Sequence, residues 1–245
     1  MWIDSHCHVT ADPFGADRDA VLARAWEAGV EALICIGAGY GIEGNAAAVE
    51  LAGRDPRAFA TVGIHPHDAK LLDDAGRERL RAWLAHPRVV AVGECGLDYH
   101  YLNSPRDAQR AVLAEQLALA RELGLPVSLH VRDDGPRAYD ELLEIWRSET
   151  RGEVSGVLHC YTHDLAFALR AIASPTRATQ AGSLRFPRRP SGARKGASVS
   201  TRMRSRGRAR ATSRSVFAFL KVTIPEKETR RFSSRARVAN ARSCV

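Results

Sequence analysis

The sequence predicts an α/β fold of the TIM (β/α)8 barrel type, incomplete at about six βα units and followed by an aberrant basic tail. Three observations carry this expectation. Short aliphatic runs at 2–8, 32–37, 60–65, 89–93, 127–131 and 154–161 alternate with longer helical patterns. Their apolarity is continuous rather than alternating, as in parallel strands covered by helices on both faces. The 245 residues lie close to the roughly 250 that an eightfold barrel takes. Finally, four runs end in nitrogen and oxygen donors, Asp4-Ser5-His6-Cys7-His8, Glu94, His130 and His159, and the C-terminal ends of barrel strands are where such folds build their sites.

Residues 2–8 open the sheet. Val21, Leu22, Ala25 and Trp26 then share one helical face, and Gly29 closes that helix. The runs 32–37 and 60–65 are the second and third strands, the latter ending in Gly63-Ile64-His65-Pro66-His67, and 89–93 is the fourth. Ser104-Pro105 reads as an N-cap with Pro at the first helical position. Ala108, Val112, Leu119 and Leu123 mark the face of that helix, and Gly124 and Pro126 stop it. The runs 127–131 and 154–161 supply the fifth and sixth strands, and a last helical pattern ends near Ala171-Ile172.

Two more units would be needed to cover the edges of the sheet, and the text does not supply them. From about Ala173 it turns rich in Pro, Arg, Ser, Ala and Gly, with Arg202, Arg204, Arg206, Arg208 and Arg210 at alternate positions. The expected division is therefore a partial barrel over 1–172 and an Arg-rich tail over 173–245. Such a tail buries too little apolar surface to offset its chain entropy and is expected to be disordered, with 216–224 its one strand-like stretch.

The formal charge of +8 belongs to the tail. Residues 1–170 hold 17 basic and 26 acidic side chains, a balance of −9, while residues 171–245 hold 19 and 2, a balance of +17. The basic character thus says nothing about the part that bears the donors. Five cysteines without paired spacing point to reduced thiols and a cytoplasmic protein. No apolar run approaches the roughly 18 residues of a membrane span, and the start lacks the pattern of a signal peptide. No obligate protein partner is indicated.

His6 and His8 are two residues apart, so on a strand both imidazoles share a face and Cys7 takes the other. Two imidazoles so placed suit a shared cation, although the pair also fits a polar strand end. Glu94, ending a buried run between glycines, would be costly without a cation or hydrogen bonds, which suggests a bridging ligand. His130 and His159 sit at corresponding ends of the next two strands. Divalent cations in such a site imply hydrolysis, and mixed imidazole and carboxylate donors suit Zn²⁺ or Mn²⁺ and tolerate Mg²⁺. His65 and His67 could hold a substrate phosphate, orient a ligand, or lie in a Pro-rigidified loop. Arg132 shares the face of His130 and could clamp an anionic oxygen, or pair with Asp133, Asp134 or Asp98. Asp98 could support the metal shell or cap the following loop.

Five motifs together resemble the TatD family of metal-dependent deoxyribonucleases. They are Asp-Ser-His-Cys-His near the start, Gly-Ile-His-Pro-His at 63–67, Gly-Glu-Cys-Gly-Leu-Asp-Tyr at 93–99, Leu-Pro-Val-Ser-Leu-His-Val-Arg at 125–132 and Gly-Val-Leu-His-Cys-Tyr at 156–161. The resemblance covers residues 1 to about 172. It implies a TIM barrel, two divalent metal ions (Mg, Mn or Zn) and hydrolysis of DNA phosphodiesters. It further implies that His6 and His8 bind one ion, His130 and His159 the other, with Glu94 between them.

A Glu-Thr-Asp-x-Pro strand, whose Asp completes the first site, is implied about fifty residues after His-Cys-Tyr, and the sequence has none. An Arg-rich text of that length is what a shifted frame of a GC-rich gene gives, so a frameshift near Ala173 and impaired activity are expected. Two other readings stay open. One is a catalytically silent nucleic-acid-binding protein acting through the +17 tail. The other is a TatD-like phosphatase or amidohydrolase. The cyclic-amide branch is disfavoured, because its carbamylated Lys would fall where Glu94 stands and Lys70 is the only Lys before 195.

Overall fold

A computed structural model describes residues 2–174. The expected tail from 175 onward, including the strand-like stretch 216–224, lies outside the described residues. Six strands, β1 (Trp2–Cys7), β2 (Val30–Ile36), β3 (Ala58–Val62), β4 (Val89–Asp98), β5 (Val127–Arg132) and β6 (Gly156–Leu158), pair in parallel in sequential order. Six helices, α1 (Arg18–Glu27), α2 (Glu43–Arg54), α3 (Asp74–Leu84), α4 (Arg106–Leu123), α5 (Arg137–Thr150) and α6 (Leu165–Ile172), follow the strands one for one. This is the incomplete (β/α)8-type barrel that the alternating runs predict.

The sheet is strongly curled. β1 and β6 stand at opposite ends of the strand order, where a flat sheet of six strands would hold them about 24 Å apart. Yet the ring of His6 in β1 stacks on that of His159, just past β6, with centroids 4.0 Å apart. The apolar core lies between the strands and the helix layer, where Leu113 and Leu117 of α4 and Leu143 and Trp146 of α5 are completely buried with Val92 and Leu129. All five residues of β3 are buried. β1 is exposed over most of its length, as an edge strand without a second neighbour among the described residues.

Three local expectations are corrected. β4 does not end at 93 but runs to Asp98, because Gly93 (φ +134°) and Gly96 (φ +154°) let it press against β5. A Cβ on Gly96 would meet the carbonyl oxygen of His130 at 1.8 Å. β6 is shorter than 154–161, and His159 follows it, its N–H still donating to the carbonyl of Leu129 at 3.1 Å. Ser104 does not cap α4, where Pro105 occupies the N-cap position. Its hydroxyl instead donates to the carbonyl of His67 and accepts from the N–H of Lys70, tying the loop after β3 to the loop before α4. Gly124 closes α4 in the left-handed conformation, as its position predicts.

Candidate metal centre

Imidazoles at the C-terminal ends of four strands, β1, β3, β5 and β6, converge on the buried carboxylate of Glu94 in β4. His6 Nε2 lies 3.4 Å from its Oε2 and His8 Nε2 3.9 Å from the same atom. His130 Nδ1 is 3.1 Å and His65 Nε2 3.9 Å from Oε1, which His159 Nε2 also approaches closely. All five imidazoles that the sequence marks around this acid, at 6, 8, 65, 130 and 159, are therefore brought together. Four of these imidazoles form two compact donor groups that share Glu94, His6 with His159 and His65 with His130, which differs from the implied pairing of His6 with His8 and His130 with His159; His8, 3.9 Å from the carboxylate, falls in neither group.

Hydrogen bonds fix which ring nitrogen is left to face the acid. The N–H of His67 donates to His65 Nδ1 (3.2 Å), so neutral His65 carries its proton on Nε2 and presents a donor. His130 has the opposite arrangement. Its Nε2 faces Asp98 Oδ2 and its Nδ1 faces Glu94 Oε1, both at 3.1 Å, so in the absence of a cation it donates from both nitrogens, and Asp98 keeps the Nε2 proton when Nδ1 gives up its own. The second oxygen contact of Asp98 is also through Oδ2, to His67 Nε2 at 2.9 Å, while Oδ1 accepts from the N–H groups of His100 and Tyr101. Asp98 thus does both things the sequence left open, orienting imidazoles and capping a turn.

Burial alone would push the Glu94 carboxyl upward, but His159, His130 and His6 outweigh it and hold the acid well below the usual carboxylate range. Burial lowers His8 to about 4 and His65 to about 3, so both are neutral near pH 7. Burial also acts on His130, but its bonds to Asp98 and Glu94 prevail and raise it to about 9. Near neutral pH the anionic carboxylate of Glu94 therefore has neutral His8 and His65 and protonated His130 beside it.

The donor set fits a divalent cation. His6 Nε2, His8 Nδ1 and His159 Nε2 are buried without a properly formed hydrogen bond. Such atoms are costly unless something pairs with them, and mixed imidazole and carboxylate donors are the usual ligands of Zn²⁺ and Mn²⁺.

Arg132 lies with its guanidinium over the ring of Tyr101, 4.9 Å from the centroid. Of the three carboxylates near it in sequence, Asp133 accepts from the N–H groups of Gly135 and Ala138, Asp134 meets His100, and Asp98 holds His67, His130 and its turn.

Sequence reasoning missed three buried carboxamides. Asn45, Gln109 and Gln116 each accept from the N–H and donate to the C=O of one residue at the site, Gly63, Asp98 and Ile64 respectively. Their partners are 11 to 52 residues away, and only an amide on an otherwise apolar helix face signals them.

Parallel βα units with imidazoles and a carboxylate gathered at their C-terminal ends are the layout of the class of barrel metallohydrolases. Within that class, the family described as TatD related DNase matches residues 3–201, and the chain belongs to it. It is 40% identical over 159 residues to the 3'-5' ssDNA/RNA exonuclease TatD of Enterobacter lignolyticus, covering 65% of this chain and 59% of that protein. It is 34% identical over 162 residues to the uncharacterized metal-dependent hydrolase YabD of Bacillus subtilis, covering 66% and 61%. Among solved structures, the TatD homologue YJJV of Escherichia coli aligns with a TM-score of 0.61 and 34% identity over 69% of this chain and 63% of that one. A TatD family hydrolase of Entamoeba histolytica shares the fold at 22% identity and a TM-score of 0.62, over 69% of this chain and 61% of that one. The chain spans about three-fifths of the length of the curated relatives it matches. No helix among the described residues is long and apolar enough to cross a membrane.

Proposed function

We propose that this chain is a divalent-metal-dependent nuclease that hydrolyses phosphodiester bonds of DNA. The observation that carries the reading is the convergence of His6, His8, His130 and His159, from three strand ends, on the buried carboxylate of Glu94. In this reading Glu94, His6, His8, His130 and His159 would hold two divalent cations. Bound divalent cations supply Lewis acidity and lower the pKa of a coordinated water. His65, with its proton on the nitrogen facing the site, donates to a phosphate oxygen, and Arg132 neutralises charge at the rim. The exonuclease names of relatives such as that of Enterobacter lignolyticus favour single-stranded DNA or RNA as substrate. Four free cysteines among the described residues suit a reducing cytoplasm.

The absence of the Glu-Thr-Asp-x-Pro motif from the sequence removes the carboxylate that would complete the first site, so turnover is weak. The same reading treats 173–245 as out-of-frame text. Resequencing the codons near Ala173 tests this, and an intact frame that reproduces the present text refutes it.

The decisive experiment measures metal content and hydrolysis of single-stranded DNA in Mn²⁺ or Mg²⁺, for the native chain and Glu94→Ala. Metal bound by the native chain, and activity lost with Glu94, support the reading. Hydrolysis unchanged in Glu94→Ala overturns it. Salt-sensitive DNA binding without hydrolysis, lost on deleting residues 173–245, would favour a silent nucleic-acid binder instead.

A further inference from the structure

The chain has five tyrosines, and the two that are exposed both stand at the rim of the metal centre. Tyr40, in the loop after β2, is 48% exposed, and Tyr101, in the loop after β4, is 40% exposed. Tyr40 meets the ring of His8 edge-on at 5.5 Å, and Tyr101 meets that of His67 at 5.7 Å. Tyr40 therefore meets an imidazole of the group around Glu94 directly, and Tyr101 sits one imidazole away from it.

Isolated exposed aromatics are ordinary on protein surfaces. These two differ in being held. The Tyr101 N–H donates to Asp98 Oδ1 at 2.9 Å, inside the network that orients His130, and Arg132 covers part of its ring. Beside Tyr40, the N–H of Gly41 donates to Asp68 Oδ2 at 3.1 Å, pinning the β2 loop to the segment that carries His65 and His67. Pre-positioned planar rings lose little conformational freedom when another ring stacks on them.

We propose that Tyr101 and Tyr40 are stacking platforms for nucleobases of a single-stranded nucleic acid, one on each side of the cluster around Glu94. This rests on the nuclease reading above and names the residues that would select its substrate. A base can stack on an exposed ring only if it is free of its own strand partners, so the platforms favour unpaired strands over duplex. Every base has a π-face, so they select for single strands without selecting for sequence. Arg132, lying over Tyr101, places a cation where the phosphate next to a stacked base would pass.

Binding tests the proposal without requiring turnover. The full chain in Mn²⁺ is titrated into two fluorescent octamers with the same cleavage-resistant phosphorothioate linkages, an octathymidylate and its abasic counterpart. The basic tail and the metal centre meet equal backbone charge in both, so the ratio of the two Kd values isolates the bases. Stacking of one base is worth roughly a 5- to 150-fold preference for octathymidylate. The proposal expects that preference in the native chain, its retention in Tyr101→Phe and Tyr40→Phe, and its reduction by at least about fivefold in Tyr101→Ala and again in the double alanine variant. Equal preference in the native and alanine variants overturns the platforms while leaving the nuclease reading intact. A native chain that binds both octamers equally well also overturns them. Failure to bind either octamer removes both readings together.

Discussion

Asp98 is the residue on which the centre's geometry turns, because one of its oxygens holds His67 and His130 and the other holds a turn. Replacing it with Asn keeps the size and the turn but removes the anion that fixes the proton on His130 Nε2. Supporting carboxylates of this kind typically contribute 10–100-fold to metal affinity, and Asp98→Asn is expected to lose affinity in that range while remaining folded. Competition with a chromogenic chelator measures it, and unchanged affinity would show that His130 needs no such support. The convergence of positions 6, 8, 94, 130 and 159 was readable from sequence, because strand ends in a parallel barrel share one rim. The two-sided role of Asp98 was not, since only coordinates show which oxygen meets which partner. Likewise, the proton on His65 is set by the backbone of His67, which no residue pattern reports.

At the scale of elements, β4 is the least obvious from sequence and the most constrained. The apolar run stops at Gly93, yet the strand continues through Glu94 and Cys95 to Asp98 because two glycines accept backbone conformations and approaches that a side chain forbids. Gly96→Ala would place a methyl group against the His130 carbonyl at a positive φ and separate β4 from β5. The expected cost exceeds about 3 kcal/mol, enough to consume much of a domain's stability. Urea denaturation should show a collapsed midpoint, and a variant as stable as the native chain would mean that the strands are not so closely registered. Helix boundaries were readable where glycine ends them, as at Gly124, and were misread at Ser104. Its hydroxyl is drawn instead to the loop after β3, a partner 37 residues away.

For the whole molecule, the buried histidines set how stability depends on pH when no metal is bound. His8 and His65 are lowered to about 4 and 3 from 6.5, so below pH 6.5 unfolding takes up as many as two protons, and their contribution is complete above pH 6.5 and lost as pH falls. His130 is raised to about 9, so its contribution is complete below pH 6.5 and lost as pH rises through 9. For this cluster the metal-free protein is therefore expected to be most stable near pH 6.5, falling more steeply on the acid side. Thermal melts in chelator across pH 4–9 check this, and a monotonic profile would contradict it. Exposed apolar groups set a second expectation. Trp2 and Ile3 on β1 and Leu165 and Leu169 on α6 face solvent at the two ends of the strand order. Association that strengthens with protein concentration is expected, and Leu165→Lys with Leu169→Lys should weaken it in sedimentation velocity.

The three carboxamides reach further than their small size suggests. By fastening both backbone groups of Gly63, Ile64 and Asp98, they make the main chain beneath the imidazoles a fixed frame. Amide protons at those three positions should be among the slowest in the chain to exchange with deuterium, although they lie next to the mouth of a site. Ligand swaps at neighbouring positions would then retune the chemistry without moving the scaffold beneath it.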